Sequence, residues 1–141
     1  MVYTFIINSI IVGIAVLIHF EALNLLSMLL PWLKIRLRLR VLVGVFGALF
    51  AHIIEIWLFA FAYYFKIRST YFGTLEGHVN NSLMDCSYFS FTTYTSLGIG
   101  DIKPTGDLRF LAGLEALTSL VLISWTASFM FLEMQKLWKA M

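Results

Sequence analysis

The stretch that decides the fold is Thr92-Thr93-Tyr94-Thr95-Ser96-Leu97-Gly98-Ile99-Gly100-Asp101. A cation entering a membrane exchanges its water shell for oxygen ligands, and a strand of backbone carbonyls aimed at one axis supplies them. Aiming successive carbonyls the same way drives some residues to positive φ, which glycine accepts without steric cost. Gly98 and Gly100 alternate with Leu97 and Ile99, whose apolar side chains are then free to turn from the axis and pack behind it. The Ser96 hydroxyl adds one ligand at the inner end. Segment 96–100 is thus expected to hold a permeant cation.

Upstream, the apolar run 83–95 has 13 residues, where a spanning helix needs about 20. It fits a re-entrant helix, which is stable at membrane depth only when protein or a water-filled cavity surrounds it. Asn81, Ser82 and Asp85 suit its N-terminus through capping and the helix dipole. Its other end carries partial negative charge, which helps hold a cation below the strand. Two longer apolar runs bracket this unit: 41–65, interrupted only by His52 and Glu55, and 108–135, with Arg109 near its start and Glu115 further in. A third run, 1–33, stays uncharged through Ile18 before His19 and Glu21. It lacks a basic leading region and is too long for a cleaved signal, so a retained helix is expected.

Composition agrees. Of 141 residues, 60% are hydrophobic and 13% charged, against roughly a quarter charged in soluble domains. So much apolar surface belongs in lipid. The net charge of +2 is too small to suggest a nucleic-acid partner, and the single cysteine, Cys86, excludes an internal disulfide or a CxxC site. Residues 34–40 carry Lys34, Arg36, Arg38 and Arg40 and no acid, which marks a cytoplasmic loop. The N-terminus is then outside, the C-terminus cytoplasmic, and segment 96–100 on the outer side. The basic residues recur every second position and scatter around a helix, so they anchor topology rather than forming a voltage-sensing stripe.

The run Ser96-Leu97-Gly98-Ile99-Gly100-Asp101 resembles the potassium-channel signature Thr-Val-Gly-Tyr-Gly-Asp. The hydroxyl-rich lead-in Thr92–Thr95, the Asp-x-x-Pro from Asp101 to Pro104 and the following helix also look like the potassium-channel pore module. The last helix is similar to small bacterial channels of the two-pore-domain-like ion-channel family. The resemblance implies an all-α membrane protein: outer helix 41–65, pore helix 83–95, filter 96–100 and inner helix 108–135 within a module over 41–141. Helix 1–33 and the loop 34–40 are additions. One strand cannot surround an ion, so the family's plan implies a homotetramer in the cell membrane. The resemblance further implies potassium as the permeant ion, no cofactor and no enzymatic activity.

Three positions depart from the signature. Ser96 keeps a hydroxyl but loses a methyl, Leu97 is bulkier than valine, and Ile99 replaces an aromatic. Each bears on discrimination against sodium, so a weakly selective cation channel on the same scaffold is the alternative to a potassium-selective one. Ser96, Leu97, Gly98, Ile99 and Gly100 are the expected ion-binding residues, and Asp101 the outer mouth. Thr92, Thr93, Thr95 and Glu115 are candidate filter supports, with Glu115 reaching pore-helix hydroxyls.

Ser124 and Ser128 share one face of the last helix and are candidate cavity-lining residues, helix packing being the other reading. His52 and Glu55 share a helical face, whereas His19 and Glu21 do not. These four are candidates for a pH-sensitive or metal-binding cluster, or for polar docking of the first helix. Two rival classes stay open. One is an intramembrane metal or redox enzyme, which lacks an HExxH pair, a GxS context and a CxxC. The other is a non-conducting membrane partner protein with a degenerate filter.

Overall fold

The computed structural model describes residues 2–69 and 71–139. Four helices dominate: α1 (Val2–Trp32), α2 (Leu37–Arg68), α3 (Leu83–Tyr94) and α4 (Leu108–Lys139). α1, α2 and α4 are each long and apolar enough to cross a membrane. This is a multi-pass membrane protein.

α1 is apolar around its whole circumference, yet it buries one stripe: Thr4, Asn8, Ala15, His19, Leu23, Leu26 and Leu30. Steps of three, four and seven residues keep these side chains on one face. The stripe packs on α2 and α4. Its polar members meet polar partners. The Thr4 hydroxyl donates to Asp107 Oδ2 at 2.7 Å, Lys66 donates to Asn8 Oδ1, and His19 Nδ1 lies 2.8 Å from Glu55 Oε1. Asn8 Nδ2 is buried without a hydrogen-bond partner among the described residues. Further along, Leu23, Leu26 and Ala48 form a small apolar cluster with Phe129 beside it. Gly47 faces the Leu26 side chain there, so its missing Cβ lets the two helices approach closely.

The basic stretch 34–40 is divided between turn and helix. α2 begins at Leu37, so Arg38 and Arg40 fall in its first turn, and the helix extends past residue 65 to Arg68. Cations at a helix N-terminus oppose the dipole. Arg40 offsets this by donating from Nη2 to the Leu33 carbonyl at 2.9 Å, satisfying the end of α1 after Pro31.

α3 is wedged between α2 and α4. Cys86, Phe89 and Tyr94 pack against Phe59, Tyr63, Leu108 and Leu111. A two-stranded antiparallel ribbon completes the fold, β1 (Leu75–Gly77) with β2 (Ile102–Pro104), in the register Leu75↔Pro104 and Gly77↔Ile102. It joins the chain before α3 to the chain after residue 100. Gly77 has φ +130°, and a Cβ there would strike the Asp101 carbonyl oxygen.

Candidate functional site

α3 has a defined start. Ser82 Oγ accepts from Asp85 N at 3.1 Å and Asp85 Oδ2 accepts from Ser82 N at 3.0 Å, a reciprocal capping box. The Ser82 hydroxyl and amide hold the Asp85 carboxyl below its ordinary range.

Its end sets up the next five residues. Ser96 N donates to Thr93 O at 3.0 Å and Leu97 N to Thr92 O at 2.9 Å, the paired bonds of a Schellman motif. Gly98 N donates to the same Thr92 carbonyl at 3.1 Å. The left-handed position of this motif usually goes to glycine; here Ser96 holds it at φ +56°. Gly98 and Gly100 follow at φ +52° and +85°. Positive φ at residues 96, 98 and 100 alternates with ordinary φ at 97 and 99. Among the described residues no hydrogen bond ends on the carbonyls of Ser96, Leu97, Gly98, Ile99 or Gly100. The far end is also fastened: the Tyr88 hydroxyl donates to Asp101 Oδ2 at 3.0 Å, and Ile102 enters the ribbon. That bond raises the Tyr88 phenol above its ordinary pKa.

Leu97 and Ile99 are 67% and 56% exposed, so one chain covers less than half of either. Thr92 and Thr95 turn their hydroxyls to the carbonyls of Phe89 and Phe91, at 2.9 and 2.7 Å. Thr93 contributes its carbonyl to Ser96.

Glu115 is fully buried on α4 and accepts from Tyr63 of α2 at 2.6 Å and from Ser90 of α3 at 2.5 Å. Ser90 also reaches the Ile56 carbonyl at 2.9 Å. Arg109 makes no bond to Glu115 among the described residues. Ser124 and Ser128 lie on an exposed face of α4 with Leu117 and Leu120, their hydroxyls turned back to the carbonyls of Leu120 and Ser124.

A second polar cluster joins all four helices. Glu55 Oε1 meets His19 Nδ1 at 2.8 Å, while Oε2 accepts from Tyr94 and lies 3.2 Å from His52 Nδ1. His52 Nδ1 is 2.8 Å from the Tyr94 hydroxyl. Both Nε2 atoms converge on Thr126 Oγ1, at 3.0 Å from His52 and 3.3 Å from His19. Glu21 takes no part and is exposed. The sequence reading missed Tyr94, Thr126, Tyr63 and Ser90. A faint signal existed for two of them, since Cys86, Ser90 and Tyr94 recur every fourth residue and therefore share a face.

Residues 51–136 match the model of a family described as ion channel, more than half of the chain. The chain belongs to this ion channel family. No curated protein and no solved structure matches it. In this ion channel the matched part holds α3, segment 96–100, α4 up to residue 136 and the later part of α2. His52, Glu55 and Glu115 lie inside the match; α1, with His19, lies outside it.

Proposed function

We infer that this ion channel conducts potassium through a tetrameric pore in which segment 96–100 of each chain contributes the ion ligands. The observation that carries the reading is the row of five adjacent carbonyls from Ser96 to Gly100, unpartnered among the described residues and held between the α3 end and the ribbon. Backbone carbonyls left without donors in an apolar setting are costly. A dehydrated cation on a shared axis offsets that cost. Positive φ at alternate residues is the backbone geometry that such a row needs.

Four copies around an axis also account for the exposed apolar groups. Leu97 and Ile99 are mostly exposed in one chain, and neighbouring subunits would bury them. In that arrangement Ser124 and Ser128 face a water-filled cavity. Asp101 concentrates cations at the mouth, while Thr92, Thr93, Thr95 and Glu115 brace the filter from behind. The basic residues at 34–40 favour an outer N-terminus and a cytoplasmic C-terminus in the cell membrane.

A second reading, a weakly selective cation channel, is favoured by the aliphatic Leu97 and Ile99, which form no hydrogen-bonded support behind the carbonyls. Flux in proteoliposomes separates the two. Potassium flux that barium blocks, with little sodium flux, is expected. Equal fluxes would keep the pore and overturn selectivity, and absence of flux across a range of pH would overturn conduction.

A further inference from the structure

We propose that His19, His52 and Glu55 bind one divalent transition-metal ion of the zinc class, which fastens α1 to the family-matched part of the chain. The first ground is a hydrogen-bond shortfall. Six polar junctions are close enough to need a proton: His19 with Glu55, Tyr94 with Glu55, His52 Nδ1 with both Tyr94 and Glu55, and each Nε2 with Thr126. With Glu55 ionised and both imidazoles neutral, only four protons are available, one each from His19, His52, Tyr94 and Thr126. In every tautomer two lone pairs face each other at one junction or more.

A metal ion on the two Nδ1 atoms and Glu55 Oε1 removes the conflict. Each imidazole then carries its proton on Nε2, and both donate to Thr126 Oγ1, which has two lone pairs to accept them. Tyr94 keeps its bond to Glu55 Oε2. Outer hydrogen bonds of this kind orient histidine ligands in metal sites generally.

Distance and charge agree. One ligand atom from each of the three residues can be chosen so that all lie within 4.8 Å of one another. A tetrahedral zinc ion with bonds of about 2.0–2.1 Å spaces its ligand atoms by roughly 3.4 Å, so side-chain rotation of about an ångström closes the set. Glu55 is fully buried, and among the described residues no lysine or arginine reaches it. His52, 14% exposed, lines a cavity of about 560 Å³ between α2, α3 and α4. Two imidazole nitrogens and one carboxylate oxygen suit zinc and its neighbours rather than potassium or magnesium.

The site would also act on conduction, and only this clause rests on the function proposed above. Glu55 holds Tyr94, two residues before Ser96, so occupancy alters the footing of segment 96–100.

Metal binding is tested apart from flux. The purified full chain in detergent is titrated with Co²⁺, with visible ligand-field absorption and bound metal per chain as readouts, followed by displacement with Zn²⁺. One Co²⁺ per chain is expected, with the intense bands of a tetrahedral site. His19→Ala and His52→Ala should each abolish the bands, and His78→Ala, in the loop between β1 and α3, should leave them intact. Thr126→Val, which changes shape little, should weaken affinity about 10- to 100-fold. Absence of binding by the well-folded wild-type chain overturns the site and leaves a proton to meet the shortfall. Binding that survives in both His19→Ala and His52→Ala, or that follows His78, overturns it equally. Should these tests succeed, Zn²⁺-dependent flux in wild type but not in His19→Ala links the site to the pore. Failure of that last test alone overturns only the link.

Discussion

Tyr94 donates its phenol to Glu55, so the last helical residue of α3 is bonded to α2 just where the chain turns into segment 96–100. Tyr94→Phe keeps the ring and removes this bond together with the contact to His52. Glu55 Oε2 then keeps only the longer 3.2 Å approach of His52 Nδ1, a loss of about 1–3 kcal/mol. Denaturant unfolding in detergent should register that loss. Flux should fall as well, because the footing of Ser96 loosens.

Glu115 sits between two hydroxyls with unequal demands. Tyr63 gives its proton to Oε2, whereas the one proton of Ser90 is wanted by both Ile56 O and Glu115 Oε1. A carboxamide meets both, accepting from Tyr63 and donating to Ser90. Glu115→Gln is therefore expected to change stability by less than about 1 kcal/mol. Glu115→Ala, which strands Tyr63 and leaves a cavity, should cost roughly 2–4 kcal/mol. Paired unfolding curves check the order.

Gly98 and Gly100 hold left-handed φ with open space where a Cβ would stand, apart from a 3.9 Å approach of the Gly98 oxygen to Gly100. Alanine at Gly98 thus meets backbone strain of about 1–2 kcal/mol rather than a clash within its own chain. Gly98→Ala should assemble and lose flux. Gly77→Ala meets the Asp101 carbonyl directly and should lower thermal stability further, with flux lost only in proportion to unfolding. Comparing flux with melting temperature in the two variants separates an ion-ligand defect from a folding defect.

The pH response has two limbs outside the spanning helices. Asp85 is held below its ordinary value, so the stability it adds is complete above roughly pH 4 and is lost as pH falls through the lower folded-state value. Tyr88 is held above its ordinary value, so its contribution is complete below about pH 10 and is lost as pH rises through the higher one. Asp85→Asn should flatten the acid limb and Tyr88→Phe the alkaline limb. Melting temperatures measured across pH in each variant test this.

The long helices, the short helix and the glycine-rich segment were legible because each depends on apolar length or on the freedom of one residue type. Ser96 in a left-handed conformation was not, since serine carries no such mark and the Schellman bonds that hold it exist only once α3 has ended. The ribbon escaped notice for a similar reason: three residues per strand are too few to show alternation, and Gly77 earns its place only against Asp101. His52 and Glu55 could be paired from their spacing along one helix. Their meeting with His19, Tyr94 and Thr126 joins residues up to 107 positions apart, which no local pattern encodes. The stripe on α1 was hidden by the apolar residues all around it.

That stripe also bears on how the chain can change over time. Thr4, Asn8 and His19 stand in for water at Asp107, Lys66 and Glu55, so the first helix serves as their private solvent. A shortened descendant would set an ammonium group and a carboxylate against acyl chains, a cost of several kcal/mol for each. Loss of the helix is then viable only together with replacements at those partner positions. The first helix is thus bound to the rest of the chain by polar contacts as well as by apolar packing.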